Sequence, residues 1–232
     1  MALASAREPW RKRLYLPSYH VQEAARYART TPKTIRNWQG QGDLVQAIAA
    51  RDPKLSLSYM QLIEVAVVAA FRRSGIKLRD IKAARDWLAT TFKSEYPFVQ
   101  FDFKRRGREL LVDYAKASRK RGKGQLISPS KGGQLVWEPM VGDLLSDFEY
   151  DNNIALRWHV IGREEPIIID PRVSFGAPNI RGVPTWILKG RWEAGESVSE
   201  IADDFDLKPA LVADALKFEG VDEVGQKQGW VH

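Results

Sequence analysis

Thr31 followed by Pro32 divides the most constraining stretch of this sequence, VQEAARYARTTPKTIRNW (Val21 to Trp38), into two helices. A threonine hydroxyl accepts a hydrogen bond from the first free N–H groups of a helix, and proline is pre-shaped for the first helical position. On the preceding segment, Ala24, Ala25 and Ala28 put small residues at helical spacing, so a second helix can approach closely. Ile35 and Trp38 lie three apart and are expected to point inward. Lys33, Thr34, Arg36 and Asn37 then face outward; with Arg26 on the first helix they are the candidate DNA-binding residues. In a major groove, Arg can fork onto guanine and Asn onto adenine. The alternative is a solvated face on an ordinary helical pair.

Charge favours the nucleic-acid reading. Residues 1–133 hold 27 Lys and Arg against 11 Asp and Glu, whereas residues 134–232 hold 9 against 18. The net charge of +7 therefore hides a basic half and an acidic half. A basic half suits phosphate and an acidic one is repelled by it. This pattern describes a nucleic-acid reader joined to a part that faces another partner.

Several function classes are excluded or disfavoured by composition. With no cysteine, neither a disulfide framework nor a thiolate metal site can form. The three histidines (His20, His159, His232) are far apart in sequence. No apolar run approaches the roughly 20 residues that span a bilayer. The N-terminus, with Arg7, Arg11, Lys12 and Arg13 around Trp10, lacks a signal-peptide core, so a cytoplasmic protein is expected.

Along the chain, residues 1–14 read as a basic arm or a frayed end. Gly40, Gly42 and Pro53 bracket a connector in which a wing could sit. A helix is expected from near Ser58 to a stop at Gly75, with Leu62, Val65, Ala69 and Phe71 buried on more than one side. Another runs from Leu78 to Phe92. Phe98 to Phe103, KRRGRE and LLVDY read as a hairpin turning at Gly107, with a basic tip from Lys104 to Arg108. A second basic run spans Lys116 to Lys123. Gln134 to Phe148 reads as a helix interrupted near Pro139, and Ile154 to Ile161 as a strand.

A distinct module follows Glu165. Ile167 to Ile169 reads as a short strand and Trp186 to Ala194 as a helix closed by Gly195. Ser197 and Glu200 make a capping box for a helix to Phe205, and Pro209 opens a last helix to Phe218. The outline is again helix-turn-helix-like. Its second helix, however, offers Ala210, Ala213 and Asp214 amid Asp203, Asp204 and Asp206, the wrong sign for DNA. A protein-contact module is the better reading.

Glu23-Ala24-Ala25-Arg26, Pro32, Thr34-Ile35-Arg36 and Trp38 resemble the N-terminal helix-turn-helix of MerR-like regulators. Arg29 departs from that pattern by standing where such motifs usually have glycine, with Thr30 replacing an aliphatic residue. Asp170-Pro171-Arg172-Val173, Phe175-Gly176, Pro178, Ile180-Arg181-Gly182, Ala194-Gly195-Glu196-Ser197, Ile201-Ala202-Asp203-Asp204 and Ala215-Leu216-Lys217-Phe218-Glu219 resemble the domain of unknown function 433. Together the two parts are similar to a VapB-type antitoxin. That resemblance implies operator binding, autoregulation and neutralisation of a PIN-like ribonuclease toxin whose acidic cleft holds metal. Arg172, Arg181, Lys189 and Arg191 are then candidate partner-binding groups, with Trp230 on the glycine- and polar-rich tail.

The expected fold is mainly α: a MerR-like helix-turn-helix, a small β-hairpin region and a C-terminal three-helix, helix-turn-helix-like module. The expected domains are 1–95 (DNA-binding and helical), 96–165 (hairpin, connecting or dimerisation), 166–220 (toxin-binding or protein-contact) and 221–232 (tail). A homodimer is expected, because one short recognition helix reads few base pairs. No enzyme is expected and no cofactor is called for. Asp143, Asp147, Glu149 and Asp151 could be arranged to share magnesium, but an acidic solvated face explains them more simply. The runner-up is a MerR-like ligand-responsive regulator without a toxin partner.

Overall fold

The structure is a computed structural model and describes residues 9–40, 46–49, 56–73, 75–100 and 146–221. The chain divides into two compact units, 1–156 and 157–232.

Unit 1 is helical over most of its described length. Its helices are α1 (Pro9–Arg13), α2 (Val21–Tyr27), α3 (Pro32–Trp38), α4 (Tyr59–Arg73) and α5 (Leu78–Phe92). The starts follow local chemistry. Glu23 accepts a hydrogen bond from the His20 backbone N–H at 2.7 Å, and Thr31 Oγ1 accepts from the Thr34 N–H at 3.1 Å, with Pro32 at the first position of α3. Ser58 Oγ likewise accepts from the Gln61 N–H at 3.3 Å, while Gln61 Oε1 accepts from the Ser58 N–H at 2.9 Å.

Helix α4 is the centre of this unit. Every residue from Tyr59 to Phe71 is buried, including Gln61 and Glu64. An almost continuous apolar run explains this, since each large side chain removed from water contributes roughly 1.5–3 kcal/mol. Phe71 meets Phe98 edge-on, with centroids 5.6 Å apart, and the Tyr59 hydroxyl donates to the Leu156 carbonyl at 2.8 Å. After α3 the chain turns back on itself. The Ala47 N–H donates to the Trp38 carbonyl at 2.7 Å, and Gly40 has φ +73°. A side chain at Gly40 would stand 2.7 Å from Gln46 Cβ, so glycine is required there for space as well as for conformation.

Five strands form one sheet in the order β1-β2-β3-β4-β5: Phe148–Asp151, Ile154–His159, Ile168–Ile169, Asn179–Ile180 and Val183–Pro184. The border between the units falls inside β2. In unit 2 the β2–β3, β3–β4 and β4–β5 pairs are antiparallel, with Trp158 opposite Ile169 and Asn179 opposite Pro184. Three helices follow: α6 (Thr185–Glu193), α7 (Val198–Asp204) and α8 (Pro209–Phe218). Ile167, Ile180, Leu188, Ile201, Val212 and Leu216 share one core under them. The Ser197–Glu200 capping box is formed at the start of α7. Thr185 Oγ1 donates to Glu219 Oε1 at 2.5 Å and Lys189 Nζ to the Glu219 carbonyl at 3.3 Å, tying the end of α8 to the start of α6.

The sheet overturns the expected fold class. The chain is not mainly α with one small hairpin, and its C-terminal module is not three helices alone. Strands of two residues carry no readable alternation, so β4 and β5 left no period in the sequence. Phe98, expected to open a hairpin, lies in a short 3-10 turn, Pro97–Val99, and Gln100 then bridges to Ile154. Phe148, expected at the end of a helix, begins β1. Part of the expected basic arm is helix α1, followed by the buried Leu14. The hairpin tip, both basic runs and residues 134–145 lie outside the described residues, as do 1–8 and 222–232.

Candidate functional site

Ile35 and Trp38 are buried, as the spacing of α3 predicts. Lys33, Arg36 and Asn37 are exposed, Thr34 is half-buried, and Arg26 is exposed on α2. The Thr34 hydroxyl lies 2.8 Å from Thr31 Oγ1, so it helps to hold the helix start. Among the described residues, no side-chain hydrogen bond or ion pair engages Lys33, Arg36 or Asn37. The helix therefore presents two cations and an amide outward from a base fixed by two buried residues.

Behind this pair lies a charge network that sequence reading missed. Glu64, with 0% of its surface exposed, takes Arg85 Nε on Oε1 at 3.1 Å and Arg85 Nη2 on Oε2 at 3.2 Å. The Ala49 N–H donates to the same carboxylate at 2.8 Å, and Arg85 also donates to the Glu95 carbonyl. Burial pushes the Glu64 carboxyl up to about 7, even though Arg85 and Ala49 pull it down. The network fastens α5 and the 46–49 segment to α4. A lone glutamate within LIEVAVVAAF was the signal available for it.

In unit 2 the four candidate cations fare differently. Arg172 is turned onto Asp170, with Nε 2.9 Å from Oδ1 and Nη2 2.7 Å from Oδ2. Asp170 is 1% exposed and also has Arg157 Nε at 3.4 Å. Burial raises this carboxyl, but the hydrogen bonds from Arg172 and the charges of both arginines outweigh it, and it settles below the usual carboxylate range. Arg191 is shared between Glu196 and Asp204, and Lys189 pairs with Glu193 at 3.7 Å. Arg181 alone of the four is exposed with no ion pair among the described residues. Trp230 lies outside them.

Sequence reading also missed two exposed aromatics. Phe175 is 75% exposed and Trp186 is 61% exposed. Phe175 sits at φ +57° between Ser174 and Gly176, both also at positive φ. Ser174 Oγ is 3.4 Å from the Gly182 carbonyl, and the Thr185 N–H donates to Pro178 at 2.9 Å. The 174–176 turn thus reaches the residue after Arg181, and the start of α6 is tied to Pro178. Among the described residues no three metal-ligating side chains converge. Glu149 lies on β1 and Asp151 at its end, not on a helix, while Asp143 lies outside the described residues.

Residues 167–218 match a family model described as Protein of unknown function (DUF433). Over 231 residues the chain is 27% identical to a Mycobacterium tuberculosis (strain ATCC 25618 / H37Rv) protein named "Putative antitoxin VapB45", covering 88% of this chain and 94% of that protein. The X-ray crystal structure of Rv2018 from Mycobacterium tuberculosis is similar with a TM-score of 0.70 at 24% identity, over 88% of this chain and 99% of that one. This last likeness is one of fold. No helix among the described residues is long and apolar enough to cross a membrane.

Proposed function

We propose that this protein is the antitoxin of a toxin–antitoxin pair. In this reading it binds operator DNA through α3 in the manner of MerR-like regulators, and neutralises a PIN-like ribonuclease through unit 2. The observation that carries it is the similarity to a protein named as an antitoxin across 88% of this chain. The outward face of α3 supports the DNA half, because Lys33, Arg36 and Asn37 have no internal partner among the described residues. The exposed Phe175, Trp186 and Arg181 support the toxin half, since aromatic and arginine anchors dominate protein interfaces. The protein acts in the cytoplasm as a homodimer, with half-sites about 34–36 Å apart or a multiple of this. It performs no catalysis of its own.

The test is binding of the full-length protein to promoter DNA of its own operon. Arg36→Ala weakens promoter binding by about 1–3 kcal/mol more than binding to mixed-sequence duplex. Equal loss on both sequences, or no binding by the unaltered protein, removes the assignment of α3 as the reading helix. In the same preparation, RNA incubated with magnesium stays intact unless the toxin is added, and added antitoxin stops its cleavage.

A further inference from the structure

Arg29 occupies a position ill-suited to a bulky side chain. It stands in the turn between α2 and α3 at φ +52°, where a glycine would sit with less strain. The turn closes through the backbone alone: the Arg29 N–H donates to the Arg26 carbonyl at 3.2 Å and the Thr30 N–H to Ala25 at 2.9 Å. The arginine side chain contributes nothing to that geometry and is exposed. Something other than the turn accounts for it.

A second guanidinium is brought to the same place. Arg73, the last residue of α4, donates through Nη1 to the Ala28 carbonyl at 2.8 Å, one residue from Arg29. No carboxylate engages either arginine among the described residues. Partial burial, and then the charge of Arg29, lower the Arg73 pKa below its ordinary value, as expected when like charges lie close together. An arginine stays charged regardless, and its planar fork matches the paired oxygens of a phosphate. The turn that carries Arg29 runs directly into the Thr31 cap and the exposed face of α3.

We propose that Arg29 and Arg73 form a clamp for one backbone phosphate of duplex DNA. The clamp rests on the DNA-binding reading above and deepens it. Phosphate contacts fix the register of a reading helix, while base contacts supply the sequence information. Arg73 also anchors the clamp, because its bond to Ala28 holds the end of α4 against the turn.

The experiment uses full-length protein, promoter duplex and mixed-sequence duplex across a salt series, with thermal melting alongside. Arg29→Gly keeps the left-handed turn and removes the charge. It is expected to melt no lower than the unaltered protein, to lose affinity by the same factor on both duplexes, and to reduce the slope of log affinity against log salt by about one. Arg73→Lys, which keeps a charge but not the fork, is expected to lose less affinity than Arg29→Gly while retaining the slope. An Arg29→Gly protein with unchanged slope and affinity overturns the clamp and leaves the DNA reading standing. Loss confined to the promoter duplex makes Arg29 a base reader and overturns it too, as does a lower melting temperature. If the unaltered protein binds neither duplex, both proposals fall. Should inorganic phosphate then raise its melting temperature but not that of Arg29→Gly, the occupant is free phosphate instead of DNA.

Discussion

Glu64 in unit 1 and Asp170 in unit 2 are both buried against arginine, and the two respond to burial in opposite ways. Glu64 in unit 1 is enclosed on all sides, and its carboxyl rises toward neutrality despite Arg85. Asp170 in unit 2 is almost as inaccessible, yet its carboxyl falls. The difference lies in the partners. Arg172 is still 36% exposed at its side chain, so it keeps part of its hydration while meeting Asp170 through both backbone and side chain. Arg85 is buried with Glu64, and both charges have left water. Burial alone therefore does not fix the sign of a shift: at Asp170 the hydrogen bonds from Arg172 and the charges of two arginines outweigh it, whereas at Glu64 one arginine and the Ala49 N–H do not. The surfaces differ in the same sense. Unit 1 leaves cations on α3 without acids, while unit 2 spends Arg172, Lys189 and Arg191 on its own carboxylates and exposes aromatics instead.

Four experiments would break or sharpen this contrast. The largest effect is expected from Arg85→Leu, which strands a buried carboxylate. It should destabilise unit 1 by about 3–5 kcal/mol, read as faster amide exchange in α4, with α6 to α8 unaffected. Unchanged α4 exchange would show that the pair does not bear on the core.

Next comes pH. Between pH 4.5 and about 7 folded Glu64 holds a proton that the unfolded chain has released. The stability it contributes is complete below pH 4.5 and is lost as pH rises through about 7, a change of about 3 kcal/mol that Glu64→Gln should abolish. Asp170 works the other way, because its lowered carboxyl stabilises unit 2 above its ordinary value of 3.8 and loses this as acid is added below it. Amide exchange should therefore show unit 2 gaining stability only as pH rises toward 3.8 and unit 1 losing it only from 4.5 to about 7, slopes of opposite sign in successive ranges. Parallel slopes would mean the two carboxylates do not differ as described.

The third prediction concerns the exposed aromatics. On the antitoxin reading proposed above, Trp186→Ser should weaken binding of the toxin by about 2 kcal/mol or more, yet shift the stability of unit 2 by no more than about 0.5 kcal/mol. A stability loss as large as the binding loss would make Trp186 a packing residue. The smallest effect belongs to Ser197→Ala, which removes the α7 cap and should cost about 1 kcal/mol in unit 2 alone, measured by thermal melting.

Helices with strong end signals were legible from residues alone. Thr31-Pro32, Ser197 with Glu200, and Pro209 each mark a start where the structure has one, because caps act through neighbouring backbone groups. The sheet was not legible, since Asn179–Ile180 and Val183–Pro184 pair through contacts that two-residue strands do not announce. At the candidate sites, the outward set on α3 followed from its two inward residues. The Arg172 and Arg191 ion pairs did not, because Asp170 is reached by a tight turn and Asp204 lies on another helix. Exposure of Phe175 was equally hidden, as it depends on a run of positive φ angles that an apolar residue gives no hint of.

The bonds from Thr185 and Lys189 to Glu219 have a consequence for how such a segment travels between proteins. They join the last helix to the first, so the piece between them is closed by its own contacts. The family match ends at residue 218, one position before this closure. The opposite end of the matched segment is not closed in this way, because β3 within it pairs with Trp158 and His159 of β2, which lie outside it. A graft of the module would therefore have to carry β2 at its front and Glu219 at its back, or leave β3 without its neighbour and α6 without its tie to α8.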